Sequence, residues 1–105
     1  MANDVFTALA HPIRRDIVER LSEGPATVGE VTAGLGVSKP TISRHLKMLE
    51  DAGVVSRVVA GRNHRLALEP RPLAETAEWI EARRACWERL FDVVGEYVKE
   101  RKERG

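Results

Sequence analysis

Ten consecutive residues, Ser38-Lys39-Pro40-Thr41-Ile42-Ser43-Arg44-His45-Leu46-Lys47, set small hydroxyls and cations among a few apolar positions. Further along, Arg57, Arg62, Asn63, His64 and Arg65 form a second polar cluster. These side chains donate hydrogen bonds and carry positive charge. That chemistry suits phosphate oxygens and the acceptor edges of bases, and one arginine can engage guanine through two donors at once. It suits bond-making poorly. The chain has no G-x-S-x-G, no P-loop, and no Cys/His pair with a third orienting group, so an enzyme is not expected. Nor is a metal or other cofactor. The soft or borderline ligands are Cys86, His11, His45 and His64, which fall in different elements. A structural zinc site needs four that converge. His45 is equally suited to contacting nucleic acid and to packing inside its own domain.

Charge is distributed to match. The 105 residues carry 17 Lys+Arg against 16 Asp+Glu, a net charge of +1 that taken whole discourages a polyanion partner. Residues 36–65, however, hold six basic groups (Lys39, Arg44, Lys47, Arg57, Arg62, Arg65) against Glu50 and Asp51, a net charge of +4. The flanking segments are net negative. A basic stripe is the electrostatic footprint of nucleic-acid binding, with a solvated face as the plain alternative. The length predicts one domain over residues 1–105, and 43% hydrophobic with 31% charged residues is the composition of soluble globular chains. No apolar run approaches the ~18 residues of a membrane span. The N-terminus lacks a basic-then-apolar leader, and a lone cysteine excludes an intrachain disulfide, so the cytoplasm is the expected compartment.

The elements that must position these residues are mostly helices. Asn3 to Leu9 is a short helical segment. Pro12 suits the first turn of a second helix, whose apolar residues Ile13, Ile17 and Leu21 share a face, with Arg15–Glu19 and Asp16–Arg20 as i,i+4 pairs on the exposed side. Thr27-Val28-Gly29-Glu30 reads as a capping box for a third helix, with Val28, Val31 and Leu35 inward and Gly36 breaking it. Ser38 then caps a fourth helix, Lys39 to about Asp51, that buries Ile42, Leu46 and Leu49 and ends at Gly53. Two strands follow, Val54–Val59 and His64–Leu68, joined by the turn residues Ala60 to Asn63 and stopped by Pro70 and Pro72. The fold class is therefore mainly α with a small β-hairpin, in the order helix, helix, helix, helix, strand, strand, helix: a winged helix-turn-helix. Its recognition helix and wing lie within residues 36–65.

The last helix, expected over residues 72–102, has no breaker before Gly95. Leu73, Ala77, Ile80, Arg84, Trp87, Phe91, Val94 and Val98 step by four and three in a heptad rhythm with one charged exception. A second stripe, Trp79, Ala82, Cys86, Leu90, Val93 and Tyr97, widens the apolar face. Some 28 helical residues would measure roughly 42 Å, too long for a domain of this size to cover. A second copy of the chain covers such a face most simply, making Leu73, Ile80, Trp87, Leu90, Phe91, Val94 and Val98 interface residues. The alternative is a helix that folds back on its own domain. Trp79 and Trp87 could also line a small-molecule pocket. Cys86 reads as a packed thiol, with a redox switch as the rival.

The segments ALAHPIRRDIVERL, VGEVTAGLGVSKPTISRHLKMLEDAGVV and AGRNHRLAL resemble the arsenic-repressor (ArsR/SmtB-type) winged-helix regulators over roughly residues 3–100. The resemblance implies a cytoplasmic, prokaryotic, dimeric transcription factor, usually a repressor released by a signal such as a small-molecule inducer. It assigns DNA contacts by position to Lys39, Pro40, Thr41, Ser43, Arg44 and His45, and to Arg62 and its neighbours in the wing. It also places Val5 and Phe6, on a terminal helix, in the dimer interface. Many relatives sense metals through a C-x-C pair before the turn or through Asp and His on the C-terminal helix. Here the first stretch reads TVGEVTAGL and no histidine follows His64, so a metal sensor is not expected. A winged helix that binds protein rather than double-stranded DNA, or a regulator acting through Cys86, are the rival functions.

Overall fold

The structure, a computed structural model, describes residues 2–104, with side chains from 5 to 103. Its elements are α1 (Ala2–Ala8), α2 (Pro12–Leu21), β1 (Ala26–Thr27), α3 (Val28–Thr32), α4 (Lys39–Asp51), β2 (Val55–Ala60), β3 (Asn63–Leu68) and α5 (Pro70–Arg104). This is the expected winged helix-turn-helix with one addition. The hairpin is part of a three-stranded antiparallel sheet, because β1 pairs with β3 (Ala26 opposite Leu66, Thr27 opposite Arg65). Two residues are too few for any periodicity to reveal, and their partner lies far along the chain. The chain divides into two units, one ending at Ala74 and the other beginning at Glu75.

In the first unit, helix starts are fixed by side chains. Thr27 accepts from the Glu30 N–H at 3.2 Å while the Glu30 carboxylate accepts from the Thr27 N–H at 3.2 Å, the reciprocal capping box. These bonds, the backbone one first, hold the Glu30 carboxyl below its ordinary range. The helix itself is shorter than expected and stops at Thr32. Arg20 Nη1 donates to the carbonyls of Val31 (3.1 Å) and Ala33 (2.7 Å), satisfying that end. Arg15 likewise donates to Leu9 O at 2.9 Å. The guanidiniums expected to pair with Glu19 and Asp16 serve backbone carbonyls instead.

α4 ends in a Schellman motif. Gly53 N–H donates to Glu50 O (2.9 Å) and Val54 N–H to Leu49 O (3.0 Å), with Gly53 at φ +74°. Leu49 and Val54 are both fully buried, so the cap turns the chain directly from α4 into the sheet. The core joins Val5, Ala8, Ile17, Leu21, Val31, Leu46, Leu49, Val54, Val55 and Leu66, with Leu73 packed against it. Val5, expected at an interface, is buried in the core of its own chain at 4% exposure, and Leu73, expected there too, is partly buried against that core.

β2 and β3 are joined by Gly61-Arg62 alone, Ala60 opposing Asn63. Gly61 at φ +64° followed by a residue of negative φ is the pattern of a type II′ hairpin turn. Pro70 and Pro72 do not merely stop β3; α5 starts at Pro70, because prolines without N–H groups cost nothing in the first turn. α5 runs unbroken through Gly95. Its 35 residues measure about 52 Å.

Gly53→Ala tests the turn out of α4. The added methyl would meet only Pro72 Cγ at 3.9 Å, so the cost is that of the left-handed backbone, about 1–2 kcal/mol. Denaturant unfolding should show that loss. An unchanged midpoint would mean the Schellman geometry is not what holds this turn.

Candidate nucleic-acid interface

α4 is divided lengthwise. Ile42, His45, Leu46 and Leu49 form the inward stripe, and Lys39, Pro40, Ser43, Arg44 and Lys47 are exposed on the outer side. Ser38 caps the helix: its Oγ accepts from the Thr41 N–H at 3.4 Å and lies 2.9 Å from Thr41 Oγ1. The two hydroxyls thus hold each other at the end of the helix where its amide dipoles favour anions.

Of the two places open to His45, the structure shows the packed one and not the contact that the resemblance assigns. It is 8% exposed and lies in the inward stripe, so it packs within the domain and does not present itself to a groove. Its spacing from Ile42 and Leu49 carries that signal in the sequence. Arg14 of α2 donates from Nη1 to His45 Nδ1 at 3.2 Å, from Nε to Ala8 O at 2.7 Å and from Nη2 to Thr7 O at 3.1 Å. One guanidinium therefore ties the end of α1 to α2 and α4. Nothing in the spacing of Arg14 marks it for that role. The ring of His11 lies 4.4 Å from that of His45, and His11 Nδ1 accepts from the Ile13 N–H at 3.1 Å, capping α2. His45 accepts from Arg14 through Nδ1, which requires the neutral form of that ring. Burial first, then the neighbouring His11, Arg14 and Arg44, pushes the His45 imidazole below its ordinary value.

The hairpin brings Arg57, Arg62, Asn63 and His64 around an open cleft beside Thr27, Val28 and Gly29 at the start of α3. Arg62 and Asn63 sit at the turn and Arg65 on β3, all exposed. Arg57 is not free: its Nε donates to Glu50 Oε1 at 2.8 Å and its Nη1 lies 3.4 Å from His64 Nδ1. Lys47 pairs with Asp51 at 3.4 Å. Both acidic residues of the basic segment are therefore taken, and among the described residues Lys39, Arg44, Arg62 and Arg65 have no ion-pair partner within 4 Å.

A family model described as a helix-turn-helix domain matches residues 9–58. The transcriptional repressor SdpR of Bacillus subtilis is 35% identical over 78 residues, which cover 74% of this chain and 87% of that protein. The crystal structure of an ArsR family transcriptional regulator, RHA00566, superposes with a TM-score of 0.76 at 36% identity, covering 82% of this chain and 94% of that one. The chain belongs to the ArsR/SmtB family of winged helix-turn-helix transcriptional regulators. HTH-type transcriptional regulator Rv2034 of Mycobacterium tuberculosis is 48% identical over 69 residues, which span 64% of that regulator's length. The ArsR/SmtB family is one of DNA-binding regulators and not of enzymes. The stretch before the turn has no cysteine, α5 has no histidine, and no three His, Cys, Asp or Glu side chains gather to hold an ion among the described residues. Nor is any described helix long and apolar enough to cross a membrane.

The histidine cluster predicts a pH dependence. His45 stays neutral in the fold, while the unfolded chain takes up its proton below about the ordinary 6.5. Its contribution is complete above that value and is lost as pH falls from there toward the lowered folded value. His45→Gln keeps an acceptor for Arg14 but cannot titrate, so thermal unfolding should lose this mildly acidic decline. The later decline from Glu30, which starts only near 4.5, should remain. A His45→Gln profile parallel to wild type between about pH 7 and 5 would refute the assignment.

Proposed function

We propose that the chain is a homodimeric, sequence-specific repressor that sets α4 in the major groove of a palindromic operator and lays the β2–β3 wing on the flanking backbone. The carrying observation is the division of α4, with its inner stripe in the core and its small, polar and cationic residues outward. Ser38, Lys39, Pro40, Thr41, Ser43, Arg44 and Lys47 are the contacts on α4, and Arg62, Asn63, His64 and Arg65 those on the wing. The operator-binding part is thus residues 36–65, and residues 72–102 are the dimerisation helix of one 105-residue regulatory domain. SdpR is named a transcriptional repressor, which favours repression here as well.

Dimerisation rests on α5. Trp87, Leu90, Phe91, Val94 and Val98 are about half exposed or more, up to 65% at Phe91, as is Ile80, and Phe6 on α1 is also exposed. An apolar surface of that extent marks an interaction site. Two-fold symmetry sets half-sites about 34 Å apart. The dimer works in the cytoplasm with double-stranded DNA and no membrane. A signal that releases it is a small molecule or modification, since metal ligands are lacking.

Two substitutions test this. A duplex selected by the wild-type chain from a random-sequence library serves as operator, and the same duplex scrambled serves as control. Arg44→Ala should weaken operator binding by about 1–3 kcal/mol and bring the two duplexes closer in affinity; unchanged binding would show that α4 does not enter the groove. Trp87→Ala should shift the chain toward monomer in sedimentation at low concentration. A variant as dimeric as wild type would overturn the α5 interface.

A further inference from the structure

The register of the hairpin places Arg57 opposite Leu66 and His64 opposite Val59. Side chains alternate along a strand, so Arg57 and His64 stand diagonally on the same face as Val55, Leu66 and Leu68. Val55 and Leu66 are buried, and Leu68 partly so. Moving toward the wing tip, this face leaves the core at Arg57. There the apolar packing between sheet and α4 gives way to an ion pair. Arg57 Nε donates to Glu50 Oε1 at 2.8 Å, and the two side chains are only 34% and 30% exposed. Arg57 Nη1 reaches His64 Nδ1 at 3.4 Å, so one guanidinium links the last turn of α4, β2 and β3.

The neighbouring Lys47–Asp51 pair is different in kind. It joins adjacent turns of one helix, both members are more than half exposed, and it constrains nothing beyond α4. Glu50 to Arg57 joins two elements across the Schellman turn at Gly53, and it is the ion pair that continues the core toward the wing.

We infer that Glu50 is a positioning residue for DNA recognition: by holding Arg57 and, through it, His64, it fixes the wing relative to the recognition helix, and Arg57 acts as a strut and not as a phosphate contact. This rests on the proposal that α4 and the wing bind DNA. A carboxylate on a DNA-facing surface repels phosphate, so removing it should by charge alone strengthen binding to any sequence. A strut gives the opposite sign for the cognate sequence, because a loosened wing loses its aligned contacts.

The test measures binding of the selected and scrambled duplexes across a salt series for wild type, Glu50→Ala, Arg57→Ala and the double variant. Thermal unfolding of each free chain accompanies it. Glu50→Ala should weaken the selected duplex by roughly threefold to tenfold, the scale of coupling between contacting residues, while the scrambled duplex binds as well or better. Arg57→Ala should lose a similar factor with the wild-type salt slope, and the double variant should lose no more than either single one. The charge swap Glu50→Arg with Arg57→Glu leaves net charge unchanged and should recover part of the loss. If a variant unfolds, Glu50→Gln, which keeps the shape of the side chain, takes its place and should show the same sign. Three results would overturn the inference: Glu50→Ala tightening both duplexes equally, Arg57→Ala lowering the salt slope by about one as a lost phosphate contact does, or losses that add in the double variant. A wild-type chain with no preference between the duplexes would overturn the DNA-binding proposal with it.

Discussion

Leu46 and Leu49 anchor α4 in the core, and the direction of every other side chain on that helix follows from where they are buried. With 3.6 residues per turn, a stripe at 42, 45, 46 and 49 leaves 39, 40, 43, 44 and 47 outward. Of these outward residues Lys47 pairs with Asp51 on the same helix, and among the described residues Lys39 and Arg44 have no ion-pair partner. Arg44 and Lys39 are held only by the backbone beneath them, so the precision of the surface is the precision of the core packing. The same stripe reaches the sheet through Leu49 and Val54, one at each end of the Schellman bond. Recognition helix and wing thus share one buried junction.

Electrostatics refines what packing establishes. The central segment has two acidic residues, and each is paired with a cation on or beside α4. The net charge of +4 is therefore carried by Lys39 and Arg44 in the first half of α4 and by Arg62 and Arg65 on the wing. Charge that seemed spread along thirty residues is resolved into two separated pairs. The buried polar groups follow another rule. Arg14 donates to two backbone carbonyls and to a neutral imidazole. A neutral histidine beside a fixed cation keeps the donor satisfied without a second buried charge, at the cost of tolerance to acid.

The order of helices and the hairpin were legible because they rest on local signals: the Thr27–Glu30 box, the Ser38 cap, Gly53 and the turn at Gly61. β1 was not, since its identity lies in a partner strand and not in its own two residues. The roles of Arg14, Arg20, Glu50 and Arg57 were hidden for a related reason. A long side chain reaches several ångströms, and which carbonyl or carboxylate it meets is decided by tertiary packing. Spacing suggested i,i+4 partners for Arg15 and Arg20; unsatisfied carbonyls at the ends of α1 and α3 outcompeted them. His45 could have been placed by its stripe, since its spacing from Ile42 and Leu49 matches the inward face of α4.

Arg84 sits where the heptad stripe of α5 calls for an apolar residue, yet its charge is settled within the helix. Its guanidinium donates to both oxygens of Glu81 one turn before it and to Glu88 one turn after. These bonds and charges raise the Arg84 pKa above its already high value and, mainly through the hydrogen bond, lower that of Glu81. With its donors directed to one side, toward Glu81 and Glu88, Arg84 makes no demand for a carboxylate from another chain. The apolar residues that continue the stripe, Ile80, Trp87, Phe91 and Val94, remain half or more exposed or nearly so. A second copy seated on that face, as proposed, would meet aromatic and aliphatic surface, where Trp87 and Phe91 lie tilted against each other with ring centroids 5.5 Å apart. The charged exception is therefore compatible with an apolar interface, because i,i+3 and i,i+4 pairing keeps both carboxylates and the guanidinium on a single edge of the helix.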